Sequence, residues 1–453
     1  MLGRGPIVLG SAAVLSVLVA GCGYQYRPVV SAINPVGPAT QPTKYAIAVS
    51  APSATSSGLL TFVDFAGDTV LSTPQVLSNP VYLALAPGGG QGYLINSAGS
   101  FNEFPAGSPE TLISSQIGQS TLSAGSSPVS ITSITVPGAN ASVFVPEPAL
   151  SQVAALTNTG SLDQNIGVPN NPIYVVGANA ARRAYVISEG DKVTPSTVSS
   201  VESGNLAVSA TIPVGIDPVY GVMTLDGNRA FILNKGSGTV NVLNVINNGP
   251  DVAMPVIPAT GTLGLHPVWA DLSPLTSQLV VLNQGDGVHP GSLSIINIPL
   301  CSAASPATNP NCDPNNPIDA VGFGTVLATV PVGVNPVMVS VLQDGTKAYV
   351  ANAGNAAAGV EGSVSVVNMV SGKVSATIPG ISSTSGTADT NTSPTNVYGH
   401  PTTIIATTGT PTGKVYVTSS DNKFMTVIAT DTDTVETHVN LQGLGVRVVI
   451  TAQ

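Results

Sequence analysis

The stretch "TIPVGIDPVYGVMTLDGNRAFILN" (residues 211–234) returns as "TVPVGVNPVMVSVLQDGTKAYVAN" (residues 329–352), with Pro, Gly, a second Pro, Gly after a turn residue, and a final Asn in the same places. In the first copy Pro218 opens an apolar run, "PVYGVMTL", and Asp226-Gly227 supplies the positive φ angles of a tight hairpin. "RAFILN" is then a returning strand and "GTVNVLNV" a third; a segment such as "VSATIPVG" is a fourth, placed before the next copy. One repeat is therefore four short antiparallel strands. A sheet that small cannot bury its faces alone, so it needs neighbours.

A residue followed by Pro and an apolar run recurs at Asn79, Ser127, Asn171, Asp217, His266, Asn335 and His400. The following prolines are 48, 44, 46, 49, 69 and 65 residues apart, and the two long intervals contain insertions at 301–325 and 379–399. The second strands read "GYLINS", "SVFVPE", "RAYVIS", "RAFILN", "LVVLNQ", "KAYVAN" and "KVYVTS". An eighth copy, "KYAIAVS", starts at Lys44 without a first strand, while "LGVRVVITAQ" ends the chain as a first strand with no second. Joining the two halves closes a ring and removes open sheet edges. The expected fold is all-β: one β-propeller of four-stranded blades over residues 44–453, eight by count.

These segments, above all "VGVNPVMVSVLQDGTKAYVANAGN" and "IPVGIDPVYGVMTLDGNRAFILNKGSGTVNVLNV", resemble the YVTN-type β-propeller repeat and the related YncE-like and lactonase-type propellers. The match is close over 205–245 and 326–380 and looser over 78–200 and 260–300. That family is often seven-bladed, which leaves seven as the alternative count. The resemblance to lactonase-type propellers implies hydrolase activity as the alternative function.

Composition agrees with strands and turns: Gly (48) and Pro (37) are abundant, only 8% of residues are charged, and 43% are hydrophobic. The net charge of −10, without a Lys/Arg cluster, argues against nucleic acid as a partner.

The N-terminus, "MLGRGPIVLGSAAVLSVLVAGCG", has one positive charge at Arg4, then an apolar run too short to span a bilayer. Val19-Ala20-Gly21-Cys22 resembles the bacterial lipobox. Residues 1–21 are accordingly expected to be a lipoprotein signal peptide, with Cys22 lipidated and anchored in the membrane by its acyl chains. Gly23 carries no acidic retention signal, so the expected address is the outer membrane of the bacterial envelope. Residues 22–43 hold four prolines and form a tether of at most about 70 Å. Cys301 and Cys312 flank "SAASPATNPN", and in an oxidising compartment two cysteines at this spacing are expected to pair as a disulfide.

In a propeller the residues before the repeated Pro form a ring on one face, which makes Asn79, Asn171, Asp217, His266, Asn335 and His400 candidates for binding or catalysis. Asn and Asp also start turns there on their own account. Asn96, Asn234, Asn283 and Asn352, ending second strands, are expected on the same face. His289, beside Asp286 in "NQGDGVHPGS", is expected on the same face as His266, and the three give a metal candidate, since two imidazoles and a carboxylate can hold a transition metal. The loops 188–196, 284–292, 353–362 and 379–399 extend over that face.

A G-x-S-x-G elbow, H-E-x-x-H, a Walker loop and C-x-x-C-H are all missing from the sequence. Quinone dehydrogenase propellers dock their blades with many tryptophans, and Trp269 is the only one here. No cofactor is expected. The sequence reads as a lipid-anchored envelope propeller that binds a protein, glycan or small molecule through its loop-rich face. The alternative is a lactonase-like hydrolase using His266, His400 and Asp217.

Overall fold

The computed structural model describes residues 44–53, 55–135, 140–255, 266–273, 276–299, 312–313, 316–320, 322–381, 393–407 and 413–451. Cys22 and Cys301 lie outside them, and with them the lipidation and disulfide readings.

Eight antiparallel sheets form the blades of a propeller. Blade 1 takes its innermost strand from the C-terminus, Leu444–Ile450, which pairs with Tyr45–Ala51 and so closes the ring. Blades 2 to 8 follow in chain order as residues 80–121, 132–167, 172–216, 218–255, 267–334, 336–381 and 401–440. The repeat count of eight, rather than the alternative of seven, is the one observed. The insertion in blade 6 falls between its third strand, Pro290–Asn297, and its fourth, Val326–Val334.

The repeated Pro opens the innermost strand of blades 2, 4, 5, 6, 7 and 8. This strand has a partner on one side only, so the missing N–H of Pro costs no ladder bond. The residue before Pro turns left-handed, with φ between 46° and 60° at Asn79, Ser127, Asn171, Asp217, His266 and Asn335. In blades 2, 4, 5, 6 and 7 its carbonyl then accepts the N–H of the residue after the second strand, as from Gln284 to His266 at 2.9 Å. Asn, Asp and His tolerate this conformation better than most residues. That gives His266 a backbone reason for its place, one that sequence reasoning withheld from histidine. His400 differs: Gly399 takes the positive φ instead.

Adjacent blades meet through separate apolar clusters, eight in number among the described residues, one at each seam of the ring. The aromatic of the second strand in blades 2, 4, 5, 7 and 8, Tyr93, Tyr185, Phe231, Tyr349 and Tyr416, is fully buried in them. At a transfer energy of roughly 25 cal/mol per Å² these clusters are the main term holding blade to blade.

The recurrent Gly and Asn of the opening stretch form a clasp across the seam. Gly333, at the end of blade 6, donates its N–H to Asn352 Oδ1 of blade 7 at 3.1 Å, and Asn352 Nδ2 donates to Ser363 and Ser365. Gly215 and Asn234 repeat this between blades 4 and 5 at 3.0 Å. A Cβ on Gly333 would lie 2.5 Å from Asn352 Cγ, and one on Gly215 would lie 2.7 Å from Asn234 Cγ. Only glycine leaves room for the Asn side chain against the strand. Both Asn side chains are fully buried, so they hold the ring together rather than line its face.

Asn352→Ala is expected to lower stability by about 1–3 kcal/mol through the half-buried Gly333 N–H it leaves unbonded. Gly333→Ala should cost a similar amount, and the double variant less than the sum of the two, because both remove one clasp. Thermal or urea unfolding of the three variants checks this; full additivity would show that the positions act independently.

Candidate functional site

The loop-bearing face carries a depression of about 650 Å³ at the rims of blades 5 to 8. Its lining includes Lys235, His266, Gln284, Asp286, Asn335, Asn355 and His400. Three of the pre-proline candidates, His266, Asn335 and His400, thus share one hollow. Asn79, Asn171 and Asp217 do not line it. Asn171 instead donates to Glu189 Oε2 at 2.7 Å, and Asn79 donates to Ser97 Oγ at 2.5 Å. Burial, helped by the negative charge of Glu189, pushes the Asp217 carboxyl above its ordinary range.

Each imidazole in the depression is oriented through Nδ1. His266 Nδ1–H donates to the Gly285 carbonyl at 2.7 Å. His400 Nδ1 lies 2.6 Å from Asp421 Oδ2, while Asp421 Oδ1 accepts the His400 backbone N–H at 2.8 Å. A carbonyl and a carboxylate accept only, so the proton each ring shares with its partner is on Nδ1, and in the neutral tautomer this fixes, Nε2 is the nitrogen that carries the lone pair. Asp421 escaped the sequence reading. It stands two residues past a second strand, in "SSDN", where only the folded ring shows that it faces the pre-proline histidine.

The surrounding loops are tied to one another. Gln284 Nε2 donates to Asn335 Oδ1 at 2.7 Å, and Asn355 Nδ2 donates to the Gly287 carbonyl at 3.0 Å, each bond joining blade 6 to blade 7. Asp286 accepts the backbone N–H groups of Val288 and His289 and pairs with the exposed His289 ring at 2.6 Å. The backbone N–H and ring of His289, with the Val288 N–H, hold the Asp286 carboxyl well below the usual range. Among the described residues no three His, Cys, Asp or Glu side chains are placed to hold a metal ion, so His266, His289 and Asp286 form no metal centre here.

Past this rim the innermost strands line a channel cavity of about 800 Å³. Tyr82, Tyr174, Tyr220, Trp269 and Met338 all stand two residues after the repeated Pro, where the register of five strands shifts by a bulge. Arg447 holds the same position in blade 1, two residues after Gly445. A bulge re-aims the side chain beside it, here into the channel. The signal was present in "PVYL", "PIYV", "PVYG" and "PVWA", but it read as part of an apolar run.

Asp271, two residues beyond Trp269, is also on the channel wall and accepts the N–H groups of Val341 and Leu272, both at 2.8 Å. Burial raises its pKa to about 6, against these two bonds, which favour the ionised form.

No family model matches this chain, and no curated protein does. Solved structures share its fold. The dihydro-heme d1 dehydrogenase NirN, solved in complex with DHE, superposes with a TM-score of 0.60 at 11% identity over 91% of this chain and 77% of its own. AztD from Citrobacter koseri gives 0.56 at 11% identity, over 90% and 97%. A putative 6-phosphogluconolactonase from Bacteroides fragilis gives 0.53 at 14% identity, over 91% and 99%. At these identities the likeness is one of fold: the chain is a β-propeller.

The raised pKa of Asp271 predicts a pH-dependent term in stability. A carboxyl whose folded pKa lies above its unfolded value stabilises the fold fully below the unfolded value of about 4, and that contribution is lost as pH rises through about 6. Asp271→Asn should remove this slope while adding a constant cost, because one of the two N–H donors loses its acceptor. Melting temperatures of both proteins from pH 4 to pH 7 check it: parallel curves would refute the assignment.

Proposed function

We propose that this chain is a YVTN-type propeller anchored in the bacterial envelope by lipid at Cys22, and that it binds a ligand through the loop-rich face around His266 and His400. The observation that carries the reading is the shared hollow in which two imidazoles present unbonded Nε2 atoms beside Gln284, Asn335, Asn355 and Lys235. The hollow combines acceptors, amide donors and one cation, which suits a polyhydroxylated or amide-rich ligand such as a cell-wall fragment. Cross-blade bonds fix the loops before anything binds, and preorganisation lowers the cost of binding. No nucleic acid fits a chain of net charge −10.

One observation favours a second reading, a lactonase-like hydrolase. The His400–Asp421 pair has the arrangement of a general base with its orienting carboxylate, able to take a proton from water. Asp421 takes the part that sequence reasoning gave to Asp217. The putative lactonase from Bacteroides fragilis shares the fold and lends the reading its substrate class.

Two experiments test these readings. Cys22→Ala should move the protein from the membrane to the soluble fraction and abolish metabolic labelling with palmitate; unchanged fractionation would refute the anchor. The detergent-extracted full chain, screened by thermal shift against cell-wall fragments and sugar-acid lactones, should be stabilised by about 2.7 kcal/mol at a hundred times the dissociation constant of a true ligand. The shift should vanish in His266→Ala and His400→Ala. A lactone consumed by the wild type and not by His400→Ala would favour the hydrolase; a panel without any shift would sink the hollow as a small-molecule site.

A further inference from the structure

The channel cavity differs in chemistry from the loop face. Arg447 reaches into it with its guanidinium carbon 4.0 Å from the ring centre of Tyr82 and 5.7 Å from that of Trp269. Trp269 in turn stacks on Tyr220 at 4.0 Å, with the ring planes 17° apart, and Tyr220 lies 4.7 Å from Tyr174.

A guanidinium set over an aromatic face uses its own face for that contact. Its five N–H donors lie in its plane and are directed outward, away from the contact. Arg447 Nε is buried and bonded to no described acceptor, and Arg447 forms no ion pair with a described carboxylate. The carboxylate on the same wall, Asp271, has both oxygens committed to backbone N–H groups. Arg447 itself is half-buried, but its Nε is withdrawn from water, and a buried donor left unused is costly, since such donors are ordinarily satisfied. The cavity of about 800 Å³ beside it is large enough for a small organic molecule.

We propose that the channel is a second binding site, specific for a small organic acid whose carboxylate is attached to a flat, apolar body. The carboxylate accepts from the in-plane donors of Arg447 in the two-pronged geometry that guanidinium favours. The flat body packs on the aromatic stack and against Met338 and Val339, which line the same cavity. This site lies beyond the loop-face reading and does not depend on it.

Trp269 is the only tryptophan in the chain, so its emission reports on this channel alone. Titration of the full-length protein with benzoate should quench or shift that emission saturably. Benzamide has the same ring without the charge and should bind about tenfold more weakly or worse, a difference of about 1.4 kcal/mol. Arg447→Met keeps a long apolar side chain and should abolish the response to benzoate. Equal responses to benzoate and benzamide, no saturable response at millimolar benzoate, or an unchanged response in a folded Arg447→Met would each overturn the proposal. Should Arg447→Met fail to fold, the acid and amide comparison on the wild type decides.

Discussion

Everything in this molecule depends on closing a ring of sheets that are each too small to stand alone. A four-stranded blade exposes two apolar faces, and each becomes buried only when a neighbour lies on it. The last seam, between blades 8 and 1, is made by Ala46, Ala48 and Val63 against Tyr416, Met425 and Val427, with Val448 and Ile450 of the C-terminal strand. An ion pair crosses the same seam, Lys414 to Asp68 at 2.6 Å. Burial nevertheless raises the Asp68 pKa despite the lysine, so desolvation outweighs the attraction. The apolar cluster closes the ring, and the pair fixes the register in which it closes. Lys347 performs the same alignment one seam earlier, reaching Asp433 and the Thr430 carbonyl of blade 8.

The fold was legible because its defining chemistry is local and repeated. Asp226-Gly227 and the pre-proline residues specify turns by their own backbone preferences, so their spacing counts the blades without knowledge of contacts. The Gly333–Asn352 clasp was visible as a recurring pair of letters, though its meaning needed the seam in three dimensions, since the two residues sit in different blades. Blade 1 was the hardest to read: its innermost strand has Gly445 where most of the others have Pro, and it comes from the far end of the chain.

The candidate site was legible only in part, for a physical reason. Pre-proline residues could be placed on one face, but the sequence does not say which neighbours share a hollow. His266 and His400 do, while Asp217 turns toward Glu189. Asp421 and Arg447 act through partners about 21 and 180 residues away or more, Asp421 on His400 and Arg447 on Tyr82 and Trp269. No local pattern encodes such meetings. The channel aromatics were a different kind of omission: they keep strict register with the repeated Pro, and a bulge rather than simple alternation aims them inward.

The two ends of the ring therefore carry different chemistry because of strand polarity. Residues at the start of each innermost strand reach the loop rim, where turn formation selects Asn, Asp and His. Residues two places further on face the axis, where they meet one another and large rings pack well. The stack of Tyr82, Arg447, Trp269, Tyr220 and Tyr174 joins blades 2, 1, 6, 5 and 4 across that axis. A guanidinium in such a stack is a poor choice for packing alone, since another aromatic would fill the space without a charge to desolvate. It stands at the position where four other blades place an aromatic ring, and the proposed carboxylate site gives that charge a partner which packing alone does not.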